Sequence, residues 1–256
     1  MTSRAFIHGI AALLAVLMAF APAVVRAASI ERLQAAFLHD GKSVRVEIIR
    51  PAGDKPVPAA LVLHGASGIG RGWYVYPFAE ALARRGVAAA VVHYYDGLGK
   101  RRGKASPRIF HTRDRILQKA VDYVMSRKDV APGGVGIYGM SLGGFHALSL
   151  GVLDDRVNAV VSLGGALSRH IPAKDVVRLP PTLLLHGSRD SVVSVNRALE
   201  TSRAMERFGA HGSIKIYKRE GHSFSRAAHA DAVEMAARFL SESLRSTRQL
   251  AESVRR

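Results

Sequence analysis

The sequence predicts an α/β fold: a mostly parallel, twisted sheet with helices on both faces. Three observations predict it. Short apolar runs of strand length alternate with longer stretches at helical spacing along most of the chain. Gly139-Met140-Ser141-Leu142-Gly143-Gly144 lies between one such strand and one such helix, and fits G-x-S-x-G, the pattern of a serine on a strained strand-to-helix turn. Asp190 and His222 follow in that order, each just past the end of a further predicted strand.

The elements follow in chain order. Val44, Val46 and Ile48 alternate with polar residues, which marks an antiparallel strand ended by Pro51. Ala60 to His64 is a continuous apolar run, as a buried strand requires, and the glycine-rich loop Gly65-Ala66-Ser67-Gly68-Ile69-Gly70 follows. Phe78 to Arg85 reads as a helix closed by Gly86, and Val87 to His93 as a second buried strand. Thr112 is placed as the cap of a helix reaching Lys128, with Ile116, Leu117, Ala120, Tyr123 and Val124 at helical spacing. Val135-Gly136-Ile137-Tyr138 is the strand before the serine turn, and Leu142 to Leu153 is the helix after it. A strand is expected at Val157 to Leu163, and another at Leu183-Leu184-Leu185, whose following turn carries Asp190. The eighteen residues between Leu163 and Thr182 are too few for a lid domain, so the site is expected to be open, covered by loops such as Tyr94 to Arg108. Ser194 caps a helix over Val195 to Phe208. Ile214 to Tyr217 alternates as a strand and leads into the loop Glu220-Gly221-His222-Ser223-Phe224. A final helix runs from about Ala227 into the 240s, with Arg245 to Arg256 read as frayed or solvated.

Met1-Thr2-Ser3-Arg4 gives a basic start, Ile10 to Val25 is a short apolar core interrupted by Pro22, and Val25-Arg26-Ala27 places small residues before a cut. These features predict a signal peptide over residues 1–27, and hence a protein exported to the periplasm or secreted. The apolar run falls short of the ~20 residues a membrane-spanning helix needs. Residues 28–256 then form a single domain long enough for a substantial core. There is no cysteine, which excludes disulfides and a thiolate nucleophile. The formal charge of +17, mostly from arginine, is read as a dispersed, solvated basic surface, with contact to anionic surfaces such as lipid headgroups as the alternative. No recognition helix, zinc-finger spacing or aromatic RNA motif points to nucleic acid. His64 and His186 end apolar strands and are read as hydrogen-bonding residues, so no metal and no cofactor is expected. No oligomeric state follows from the sequence.

In open α/β sheets the strands' carboxyl ends converge on the active site, so Ser141, Asp190 and His222 can meet there. A serine gains useful nucleophilicity only when a histidine takes its proton, and an acid must orient that histidine. Ser141 is therefore the expected nucleophile, His222 its base and Asp190 the orienting acid. The tetrahedral oxyanion needs two donors: the backbone N–H of Leu142, next after the nucleophile, and one from the loop after His64-Gly65, assigned to Ala66. Tyr95 at a strand end is expected to touch the substrate, and Trp73, Tyr74 and Tyr76 are candidates for an acyl pocket or for packing under a loop.

These pieces resemble the dienelactone hydrolase-like branch of the α/β-hydrolases over nearly all of residues 28–256. The resemblance rests on Gly65 to Gly70, on Val91-Val92-His93-Tyr94-Tyr95-Asp96-Gly97, on the serine turn, and on Gly221-His222-Ser223-Phe224-Ser225-Arg226. It implies an α/β-hydrolase fold and an anchor for a substrate carboxylate at Arg226, with a surface arginine at a helix start as the alternative. Dienelactone hydrolases carry a cysteine nucleophile and a glutamate where Gly65 stands. Ser141 makes this chain look more like a general carboxylesterase on the same scaffold, acting on esters or lactones of small, in some cases anionic, substrates. An acyltransferase or peptidase with the same triad, or a non-catalytic binding protein on this fold, are the other readings.

Overall fold

The computed structural model describes residues 29–70, 74–101, 106–171, 176 and 178–254. The signal peptide expected over residues 1–27 lies outside them, as does Trp73. Eight strands and five helices alternate along the described chain. The strands are β1 (Ile30–His39), β2 (Lys42–Pro51), β3 (Val57–Leu63), β4 (Ala88–Val92), β5 (Val130–Met140), β6 (Val157–Leu163), β7 (Thr182–Gly187) and β8 (Gly212–Tyr217). The helices are α1 (Tyr76–Arg84), α2 (Pro107–Met125), α3 (Leu142–Leu153), α4 (Val195–Arg207) and α5 (Arg226–Val254).

The strands form one sheet in the order β1-β2-β4-β3-β5-β6-β7-β8. Only β1–β2 and β2–β4 pair antiparallel; every pair from β4 to β8 is parallel. A parallel sheet covered on both faces needs strands apolar on both sides, and β3 and β4 supply Ala59 to Leu63 and Ala88 to Val92, all buried. Leu61 and Leu63 face a core shared with Ile116 and Leu117 of α2 and Leu148 of α3. Ala60 and Val62 face the opposite core, with Phe78 and Leu82 of α1 and Leu240 of α5. Both cores lie against the strands whose carboxyl ends carry the site.

Three expectations need correction. The edge strand β1 was not foreseen: Ile30–His39 is built of Glu, Arg, Gln and Ala as much as of apolar residues, and all but Phe37 and His39 are half-buried or exposed because it pairs on one side only. Asp40 and Gly41, at φ +47° and +71°, close the hairpin to β2, the sort of two-residue turn an Asp-Gly pair favours. Helix α2 begins at Pro107 with Ser106 as its cap, its Oγ accepting from the Ile109 N–H, and ends at Met125. Thr112 lies inside it and donates back to the Arg108 carbonyl at 2.8 Å. Finally, α5 does not fray at Arg245 but continues to Val254, with Arg245, Ser246 and Gln249 exposed to solvent, as the other half of that expectation has it.

Candidate active site

Ser141 stands between β5 and α3 at φ +52°, ψ −118°, a conformation that costs a non-glycine residue energy. The turn is held by the Ser141 N–H on the Leu163 carbonyl at 2.8 Å and by α3, whose Phe145 N–H donates to the Ser141 carbonyl. A side chain on Gly139 would run into the Gly143 backbone, and one on Gly143 into the end of β3, so the elbow closes only with glycine at both positions.

The turn after β7 and the loop after β8 bring the other two residues to the serine. His222 Nε2 is 2.9 Å from Ser141 Oγ, and His222 Nδ1 is 2.8 Å from Asp190 Oδ2. Asp190 is 9 % exposed, and its Oδ1 accepts from the backbone N–H groups of Val192 and Val193 at 2.9 and 2.8 Å. Burial opposes ionisation of this carboxyl, but the hydrogen bonds from His222, Val193 and Val192 outweigh it and hold its pKa below the ordinary carboxylate value. His186 donates from Nε2 to the Val193 carbonyl at 2.8 Å and lies 3.3 Å from Asp190, bracing the turn that carries the acid. It is a hydrogen-bonding residue, as expected of it.

The loop after β3 passes directly over the serine: a Cβ built on Gly65 would lie 3.4 Å from Ser141 Cβ. Two donors hold the Gly65 carbonyl, the His64 Nδ1–H at 2.8 Å and the Gly68 N–H at 3.0 Å. Burial lowers the His64 pKa to about 4, so its ring is neutral and can donate from Nδ1 at ordinary pH. That ring stacks on Tyr94, whose centroid is 4.0 Å away and whose hydroxyl donates to the His64 carbonyl at 2.7 Å. Tyr95, expected to touch the substrate, is buried, and its hydroxyl donates to the Ala66 carbonyl at 2.8 Å, which holds the loop. The non-local folding of one loop against another decides this, and the strand-end position of a tyrosine does not reveal it.

A cavity of ≈ 360 Å³ opens beside these groups, lined by Gly65, Ala66, Ser141, Val192, His222 and Ser223 among others. Ala66 lines this cavity with Ser141, and Leu142 is the first residue of α3, next after Ser141. Tyr74 also lines the cavity, whereas Tyr76 donates to Glu47 at 2.7 Å. Arg226 is exposed at the first residue of α5 and is not among the described residues lining the cavity. A serine–histidine–carboxylate chain, with Asp190 buried and Ser141 and His222 half-buried beside a cavity, is equipped for acyl transfer.

The chain is similar to known proteins. The model of the dienelactone hydrolase family matches residues 44–247. YtaP of Bacillus subtilis, named as a hydrolase, is 33% identical over 110 residues, which cover 38% of this chain and 36% of that protein. Acyl-coenzyme A thioesterase 2 of mouse mitochondria is 29% identical over 167 residues, 62% of this chain and 34% of that protein. The chain therefore spans about a third of the length of these two relatives. The crystal structure of a dienelactone hydrolase from Anabaena variabilis superposes with a TM-score of 0.69 at 21% identity, covering 84% of this chain and 99% of that one; this likeness carries the fold.

Proposed function

This chain belongs to the dienelactone hydrolase family, and from that premise we propose that it hydrolyses carboxylic esters or lactones of small substrates through Ser141, His222 and Asp190. The observation that carries the reading is the unbroken hydrogen-bond chain from Ser141 Oγ through His222 to Asp190, at 2.9 and 2.8 Å. His222 Nε2 accepts the serine proton as Oγ attacks the carbonyl carbon, while Asp190 keeps the imidazole in the tautomer that accepts there and stabilises the imidazolium. The N–H groups of Leu142 and Ala66 receive the developing oxyanion. His222 returns the proton to the leaving oxygen as the acyl-enzyme forms. It then deprotonates the water that releases the acid and restores Ser141. No metal or cofactor enters this scheme. The reaction takes place in the periplasm or outside the cell, after removal of residues 1–27.

The first test is hydrolysis of p-nitrophenyl acetate and butyrate by residues 28–256, beside Ser141→Ala. Loss of the nucleophile should lower kcat by about 10⁴-fold or more. Equal turnover by both proteins would end the serine-hydrolase reading. No turnover by either would leave the non-catalytic binding reading. The same assay carries matched amide and thioester donors, the latter because of the similarity to a thioesterase. Faster amide than ester cleavage would make the protein a peptidase, and acyl transfer to an added alcohol in preference to water an acyltransferase.

A further inference from the structure

The cavity that holds Ser141 and His222 opens at the carboxyl ends of the strands, and two turns there form one side of its mouth. The turn after β7 carries Arg189 and Val192, and the turn after β8 carries Lys218 and Arg219. Hydrogen bonds join the two turns. The Arg189 N–H donates to the Glu220 carbonyl at 2.8 Å, and the Arg219 N–H to Ser188 Oγ at 2.9 Å. Arg226 follows a few residues on, at the start of α5.

Arg189, Lys218, Arg219 and Arg226 are exposed, and none of them forms an ion pair among the described residues. Arg45, Arg127 and Arg156, by contrast, each face a carboxylate. The acidic residue within the mouth's second turn, Glu220, accepts from the Ser225 N–H and from the Ser225 hydroxyl, both at 2.7 Å, so its carboxylate is tied to Ser225 and not to a cation. Val192 is 69 % exposed, one of two large apolar residues more than half exposed among the described ones, and it lines the catalytic cavity. A lone exposed apolar side chain needs no explanation. Beside unpaired cations at the mouth of a catalytic cavity, it fits a surface that is anionic outside and apolar beneath, as a leaflet with acidic headgroups is. A nucleic acid would meet the cations through its phosphates and leave Val192 without a partner. We infer that this rim docks the protein on an anionic lipid surface, with Val192 entering the headgroup layer and Arg189, Lys218 and Arg219 against the phosphates. The inference rests on the ester-hydrolase reading only for its consequence, that the cavity takes its esters from that surface.

Docking can be read apart from turnover. Residues 28–256, which hold every described element, should sediment with vesicles of phosphatidylcholine and phosphatidylglycerol and stay in solution with phosphatidylcholine alone. About 1 M salt, where the Debye length falls to about 3 Å, should release the protein. A cation close to such a surface is worth about 5-fold in affinity, so Arg189→Ala with Arg219→Ala should weaken binding about 20-fold. Val192→Ser should weaken it about 5-fold. Arg203→Ala with Arg238→Ala removes the same charge from exposed positions on α4 and α5 and should cost less than about twofold. Urea midpoints of the variants should match the parent protein, which separates lost docking from lost folding. Absence of binding to the anionic vesicles would overturn the inference. So would an equal loss from both arginine pairs, since the attraction would then be one of net charge. Binding to heparin but not to vesicles, unchanged by Val192→Ser, would make the rim a polyanion site instead. The p-nitrophenyl ester assay scores the ester-hydrolase reading separately, since sedimentation needs no turnover.

Discussion

His64 transfers no proton in the proposed mechanism, yet it sets the direction of an oxyanion donor. Its Nδ1–H and the Gly68 N–H converge on the Gly65 carbonyl. A trans peptide points its N–H opposite its C=O, so holding that carbonyl fixes the Ala66 N–H. Tyr95 holds the next carbonyl, that of Ala66. His64→Phe would keep a ring against Tyr94 and remove only the donor. Because the oxyanion exists only in the transition state, kcat should fall about 10-fold or more with little change in KM. Steady-state kinetics on p-nitrophenyl butyrate would check this, and a raised KM at unchanged kcat would mean that the ring serves ground-state binding instead. Residues of this kind divide the site into what is legible from sequence and what is not. Ser141, Asp190 and His222 are each marked locally, by residue type at a strand end. The hydrogen bond of the Tyr95 hydroxyl to the Ala66 carbonyl depends on how segments far apart in sequence fold together, and no local pattern encodes that.

At the scale of elements, the nucleophile's helix is tied to its neighbour by one buried carboxylate. Asp114 of α2 accepts from His146 Nδ1 at 2.7 Å and from Ser149 Oγ at 2.9 Å, both on α3, and all three residues are buried. Asp114→Ala would strand two polar side chains without their partner, at a cost of about 2–4 kcal/mol. Urea unfolding should show a lower midpoint of that size, and a loss under about 0.5 kcal/mol would mean the pair finds other partners. Most elements could be read from periodicity because buried parallel strands are apolar on both sides and their helices keep a clear spacing. The exceptions have physical causes. β1 pairs along one edge and needs few apolar residues, although Asp40-Gly41 signalled its hairpin. Thr112 has the residue type of a cap, but Ser106 precedes Pro107, a proline suited to a helix's first turn, and takes that place.

For the whole molecule, the buried neutral histidines make stability depend on pH. Folding lowers the His64 pKa from 6.5 to about 4, chiefly by burial, and burial lowers that of His146 despite Asp114 beside it. A histidine whose folded pKa is depressed binds fewer protons in the native state than in the unfolded state throughout that interval. Stability is therefore complete above pH 6.5 and declines as pH falls toward 4. His64 alone should remove about 2 kcal/mol between pH 7 and pH 4.5, with His146 adding in the same direction. The carboxyls held low by hydrogen bonds from arginine, as at Asp96 and Asp129, or from His222 and backbone donors, as at Asp190, act in a different window. Their contribution is present above the unfolded carboxylate value and fades only as pH drops through their folded values, below about 4. The two groups are thus separable along one titration. Urea midpoints at half-unit steps from pH 7 to 3 should slope downward from about 6.5, and His64→Phe should flatten the upper part of that slope while leaving the acid limb in place. A wild-type profile level between pH 7 and 4.5 would mean that His64 is charged or solvated in the folded protein. That result would also undo its role as the neutral donor that aims the Ala66 N–H.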